Sequence, residues 1–141
     1  MELRPFHLAF PVHNLEAARV FYSDLLGCAT GRQSNFWIDF NFFGNQITAH
    51  LDKSRTGDAV QCTNEVDSKT IPVPHFGAIL NWDRFHVLAE RFQEAGIQFI
   101  HEPMIRFQGE VGEQATMFLK DPSGNVLEFK SFKDESLVFA S

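Results

Sequence analysis

A single tyrosine stands against 16 phenylalanines in this chain of 141 residues, so ring surface is abundant and phenolic hydroxyls are nearly absent. So one-sided a choice points to a core or cavity that is apolar and short of hydrogen-bonding groups. Cysteine is scarce as well: Cys28 and Cys62 are isolated and lack CxxC spacing, which suits a reduced, cytoplasmic protein. No apolar run is long enough to span a bilayer and no apolar N-terminal leader is visible, so no membrane partner is expected. Basic residues number 12 against 18 acidic ones, for a net charge of −6, and no Lys/Arg cluster offers a phosphate footprint. Nucleic acid is thereby excluded and a small-molecule partner is expected. GxSxG, P-loop and GxGxxG patterns are all missing, and neither cysteine has a neighbouring histidine in sequence, which leaves nucleophilic catalysis without support.

What is present has the pattern of one globular domain: 44% hydrophobic and 21% charged residues. Residues 5–12 read as a strand with Phe6, Leu8 and Phe10 on one face and His7 and Ala9 on the other. Asn14 caps a helix whose apolar face runs from Leu15 to Leu26, and Gly27 stops it. Residues 29–34 suggest an exposed strand, and Phe36–Phe42 and Gln46–Leu51 form a hairpin around Phe43-Gly44-Asn45. From Asp52 to Pro74 periodicity is lost, so 53–72 is expected to be a linker or a flap. Residues 73–80 then begin a second strand-helix unit, with Asn81 as cap, Trp82, Phe85, Leu88, Ala89 and Phe92 as the apolar face, and Gly96 as stop. Strands over 97–100, 115–120 and 126–131 follow, with 103–113 expected as a loop and 133–141 as a tail.

The two halves repeat. His7 lies 20 residues before Gly27 and His75 lies 21 before Gly96, and strand-helix-strand-strand-strand occurs twice. The expected fold is α+β: two tandem βαβββ modules, 5–52 and 73–132, forming a cup-shaped mixed sheet with helices on the outer faces.

Such a repeat puts His7 and His75 at matching places on the first strand of each half, with side chains facing one cavity. Glu128, a carboxylate between Leu127 and Phe129, becomes the third member. Two neutral imidazoles and one carboxylate on rigid strands can hold one face of a divalent ion and leave positions open for substrate. His50 is the next candidate: Thr48 is the closer counterpart of Glu128, but His50 has the same parity and can serve as a fourth ligand or as an acid/base group. Trp37, Phe40, Phe42, Phe107 and Phe118 are candidate walls of the cup, and Arg106, in the expected loop, can bind an anionic or polar substrate end.

On Phe6-His7-Leu8, Asn14-Leu15-Glu16-Ala17-Ala18, Phe21-Tyr22, Leu26-Gly27 and the block Asp121-Pro122-Ser123-Gly124-Asn125 leading to Leu127-Glu128-Phe129, the chain resembles the vicinal oxygen chelate superfamily. That superfamily includes glyoxalase I, fosfomycin-resistance proteins, extradiol dioxygenases and bleomycin-resistance proteins. The resemblance implies paired βαβββ modules and a metal held by residues that map onto His7, His75 and Glu128. Glyoxalase-like members carry a further glutamate on the last strand of module one, where this chain has Thr48 and His50, so the pattern is closer to the iron-dependent dioxygenases. The expectation is therefore a metal-dependent enzyme, dioxygenase-like before lyase-like, with Fe(II) preferred over Mn, Ni or Zn, His50 as proton-transfer group, and a homodimer as the assembly. The competing expectation is a metal-free sequestering protein of the bleomycin-resistance type. A third is a metal-free partner module, for which the three ligands would not converge.

Overall fold

The computed structural model describes residues 2–55, 62–66 and 68–140, and the chain divides into two compact units. The first holds the N-terminal part together with Asp121–Asn125; the second holds the remainder.

In the first unit β1 (His7–Val12), β2 (Thr30–Gln33), β3 (Trp37–Phe42) and β4 (Asn45–Leu51) form a sheet of order β1-β4-β3-β2, with β1 parallel to β4 and the other pairs antiparallel. The β3–β4 hairpin turns at Phe43 and Gly44, both at positive φ (51° and 90°), the two-residue geometry that matches strand twist. The Asn14 side chain caps α1 (Leu15–Arg19) by accepting from Ala17 N at 2.9 Å. A π-helical stretch, Val20–Leu25, continues it to Gly27 at φ 77°. Ala18, Phe21, Tyr22 and Leu26 are buried, as are the alternate residues Phe10 and Val12, Ile38, Phe40 and Phe42, and Ile47 and Ala49 of the strands. By the same alternation His7, Trp37, Asp39, Gln46, Thr48 and His50 share the other face.

Residues 121–125 are the polar centre of this unit. The buried Asp121 carboxylate accepts through Oδ1 from Ser123 N (2.8 Å) and Asn125 N (2.9 Å), and through Oδ2 from Tyr22 Oη (2.8 Å) and Asn125 Nδ2 (2.8 Å). Arg55 donates to Ser123 O and to Asn125 Oδ1, and Asn125 Nδ2 reaches Pro11 O at 2.9 Å. Burial pushes the Asp121 carboxyl above its ordinary range, and the donors from Asn125, Tyr22 and Ser123 work against that shift.

In the second unit β7 (Phe76–Leu80), β8 (Phe99–Arg106), β9 (Gln114–Lys120) and β10 (Val126–Phe132) repeat the pattern: order β7-β10-β9-β8, with β7 parallel to β10. The helix α2 (Trp82–Glu94), capped by Asn81, buries Phe85, Leu88, Ala89 and Phe92, the last 5.9 Å from Phe129. Each unit thus carries one βαβββ module, and the fold class is α+β.

Two expectations are corrected. The strand expected over 73–80 starts only at Phe76, leaving His75 just ahead of it. The described part of 53–72, expected as a linker or a flap, holds β5 (Cys62–Val66) and β6 (Lys69–Val73), paired as an antiparallel hairpin. β5 is exposed at every position, so no periodicity betrays it. The loop expected over 103–113 begins later, because β8 runs on to Arg106. β8 is an edge strand with register irregularities around His101 and Met104, where Pro103 need not donate to a ladder. Among the described residues no helix is long and apolar enough to cross a membrane.

Tyr22 is fully buried, and burial, then the charge of Asp121 and the hydrogen bond to it, hold its phenol well above the ordinary value. A raised folded value means the stabilising contribution is complete below about pH 10 and is lost as pH climbs through the folded value. As Tyr22 is the only tyrosine, tyrosinate absorbance reports it alone. The signal should stay absent in folded protein and appear only together with loss of circular dichroism in alkali. Tyrosinate forming while the dichroism is intact would contradict the burial.

Candidate functional site

The second unit's site begins with register. β10 pairs Glu128 with Gly77, which sets the carboxylate beside the residue two places after His75. His75 Nε2 lies 3.1 Å from Glu128 Oε2, while its Nδ1 lies 2.7 Å from the carbonyl oxygen of Pro72 on β6. A carbonyl only accepts, so Nδ1 carries a proton, and in the neutral ring Nε2 then presents a lone pair to a carboxylate oxygen. Two lone pairs at that distance repel unless a proton or a cation lies between them. This is also the arrangement by which a metal-binding histidine has its tautomer set, one nitrogen donating to a backbone carbonyl and the other left for the ion.

Glu128 is held as well. Its Oε1 accepts from Thr116 Oγ1 at 3.0 Å and lies 3.5 Å from Lys130 Nζ, and its side chain is only 12% exposed. The Phe118 ring meets His75 edge-on, centroids 5.2 Å apart, and His101 likewise at 5.4 Å. His101 Nε2 bonds to Thr70 O at 2.9 Å, so β6 fixes both imidazoles, one through each type of ring nitrogen. Ile71 of the same strand is buried with Phe118 and Val126. A depression of about 230 Å³, lined by His75, Phe76, Gly77, Ala78, Ile79, Glu128 and Lys130, opens at this pair.

The first unit carries the matching register. Ala9 pairs with Thr48 and Thr48 with Asp39, just as Gly77 pairs with Glu128 and Glu128 with Phe118. Thr48 is therefore the internal counterpart of Glu128, and His50 that of Lys130. Thr48 Oγ1 donates to Asp39 Oδ1 at 2.6 Å, and a hollow of about 500 Å³ borders Asp39, Arg32, Asn41 and Gln46.

The family model of the Glyoxalase/Bleomycin resistance protein/Dioxygenase superfamily matches residues 4–129. The chain belongs to this superfamily. A glyoxalase/bleomycin resistance protein/dioxygenase from Alicyclobacillus acidocaldarius is similar at 34% identity, over 96% of each chain, with a TM-score of 0.76. Two more distant structures share the fold: the fosfomycin resistance protein FosX from Listeria monocytogenes (15% identity, 93% and 94% of the two chains, TM-score 0.67) and a lactoylglutathione lyase from Agrobacterium tumefaciens (18%, 91% and 92%, 0.62). No curated protein matches significantly.

Of the ligand set expected for a member of this superfamily, His75 and Glu128 are brought together in the second unit. His7 and His50 are exposed on the first unit's sheet, opposite Gln46 and Pro11 respectively. Among the described residues no three His, Cys, Asp or Glu side chains form a group able to hold a metal ion. Of the expected walls, Trp37 is half-buried beneath the Arg32 guanidinium, 5.4 Å from its ring centre, and Phe118 lies against His75. Phe40 and Phe42 are corrected: Phe40, at 1% exposure, packs on Tyr22 on the helix side of its sheet, and Phe42, at 2%, shares that face by parity. Phe107 is 47% exposed with Arg106 stacked on it at 5.1 Å, and Arg106 belongs to β8 rather than to a loop. Lys130, Thr116, Asp39 and the Pro72 carbonyl were not foreseen. Parity pointed to the first, which lies two residues beyond Glu128 on one strand.

Gly77 is what allows this superfamily member's Glu128 backbone to come so close. A Cβ at residue 77 would lie 1.5 Å from Glu128 O and 2.6 Å from its carbonyl carbon. Gly77→Ala should therefore force β7 from β10 and cost about 3 kcal/mol or more, measured as a lowered denaturant midpoint. An unchanged midpoint would refute the close approach.

Proposed function

We propose that this protein is a metal-dependent enzyme of the dioxygenase type, with His7, His75 and Glu128 as ligands of a divalent ion. Fe(II) is preferred, with Mn, Ni or Zn as alternatives, because two histidines and one carboxylate leaving open positions are the donor set of non-haem iron oxygenases. The observation that carries this reading is the approach of His75 Nε2 to Glu128 Oε2 at 3.1 Å, with Nδ1 already committed to Pro72 O. When bound, the ion would gather two oxygens of a small, partly apolar substrate and stabilise the negative charge that develops on them.

The chain's own residues do the rest. Pro72 O orients the His75 ring, Thr116 orients the Glu128 carboxylate, and Phe118 covers one side of the imidazole against water. His50, exposed on β4, is the proposed proton-transfer group. A cytoplasmic homodimer is part of the proposal, the pairing of two copies being supported by the exposed apolar side chains of Phe6 and Phe36. The second reading, a metal-free sequestering protein, is favoured by two points: among the described residues no three candidate ligands gather into a group able to hold a metal ion, and a proton on His75 Nε2 would satisfy the pair with Glu128 equally well.

Elemental analysis after anaerobic reconstitution with Fe(II) separates the two. About one equivalent should bind, and His7→Ala, His75→Ala and Glu128→Gln should each lose it while retaining the circular dichroism of the parent. Oxygen uptake with catechols should then follow metal content. Failure of the parent protein to retain any metal would select sequestration, and full retention by His7→Ala would remove that residue from the ligand set.

A further inference from the structure

Lys130 is the one ammonium among the residues lining the depression beside His75 and Glu128. It shares a sheet face with Glu128, two residues away on β10, and its side chain is 41% exposed. Its Nζ lies 3.5 Å from Glu128 Oε1, longer than a charge-assisted hydrogen bond, and it has no other hydrogen-bond or ion-pair partner among the described residues. Glu128, by contrast, is engaged at both oxygens, Oε2 by His75 and Oε1 by Thr116. The ammonium is therefore held at the cavity with donor capacity to spare, in a chain whose net charge of −6 would otherwise repel an anion. Of the apolar lining residues, Ile79 pairs with Lys130 on the same face and is 52% exposed, whereas Phe76 and Ala78 pair with Leu127 and Phe129 on the helix face. A cation beside an exposed apolar side chain complements a molecule with an apolar body and one anionic end.

We propose that Lys130 anchors the negatively charged end of the substrate, so that this site takes small, partly apolar carboxylic acids. The proposal rests on the enzymatic reading above for the identity of the site, and it names the substrate class. Lys130 acts here as a specificity residue. Its ammonium meets the carboxylate beside Glu128 Oε1, while His75 lies against the other carboxylate oxygen, Oε2.

The test uses the whole protein, loaded anaerobically with Fe(II), and calorimetric titration with two probes, 3,4-dihydroxybenzoate and its uncharged methyl ester. The parent should prefer the carboxylate by about tenfold or more, the value of one charged hydrogen bond. Lys130→Met should erase the preference with ester affinity and iron content unchanged, Lys130→Arg should keep most of it, and Lys130→Glu should reverse it. The same titrations on protein prepared without metal keep the two readings apart. A Lys130-dependent preference there, in a protein that never retains iron, upholds the anion subsite while the enzymatic reading falls. The proposal is overturned if the parent binds neither probe, if it shows no preference, or if Lys130→Met leaves the preference intact. Lost iron with an unchanged preference in Lys130→Met also overturns it, making Lys130 only a counter-charge to Glu128.

Discussion

The Asp121 carboxylate is buried in the first unit and accepts four hydrogen bonds, from Tyr22, Ser123 and twice from Asn125. An ionised carboxylate out of water is costly unless every lone pair is engaged, so these donors are a condition of the fold rather than an addition to it. Along the chain, residues 121–125 lie between β9 and β10, so the strand that carries Glu128 follows this turn directly. Within the second unit the register of β10 on β7 puts Gly77 opposite Glu128. A slip of one residue would send Glu128 to the helix face and Phe129 to the other.

The site follows the same logic of committing polar atoms one at a time. His75 gives its Nδ1 proton to Pro72, which leaves Nε2 for whatever lies between it and Glu128. The second carboxylate oxygen is steadied by Thr116. Much of this depends on β6, a strand outside both four-stranded sheets, which offers Thr70 O and Pro72 O to two histidines and Ile71 to the ring that separates them. The hairpin is thus part of the second unit's chemistry.

Both helices were legible because their caps, Asn14 and Asn81, and their stops, Gly27 and Gly96, stand at the ends of clear apolar stripes. The β3–β4 hairpin and the repeat were legible too, since alternation and spacing survive without tertiary context. The β5–β6 hairpin was not: with β5 wholly exposed, nothing in its pattern separates strand from loop. Asp121 read as an ordinary turn residue, because sequence does not reveal that a turn is buried. Phe40 and Phe42 were misjudged as walls although they have the parity of Ile38; many rings in one strand obscure which of them face the helix. The repeat pointed to His7 and His75, and Glu128 stood out as a carboxylate between two apolar residues, whereas the Pro72 carbonyl has no side-chain signature.

The two modules share one register but not the same residue opposite the central donor position. Ala9 stands opposite Thr48 with its Cβ in place, whereas the matching Gly77 opposite Glu128 has no room for one. The halves therefore differ in what their first strands admit as well as in their donors. A glutamate grafted at Thr48 would stand opposite an alanine rather than a glycine, so copying one residue from one half to the other would not copy the site. In this fold a donor comes together with the partner position that makes room for it.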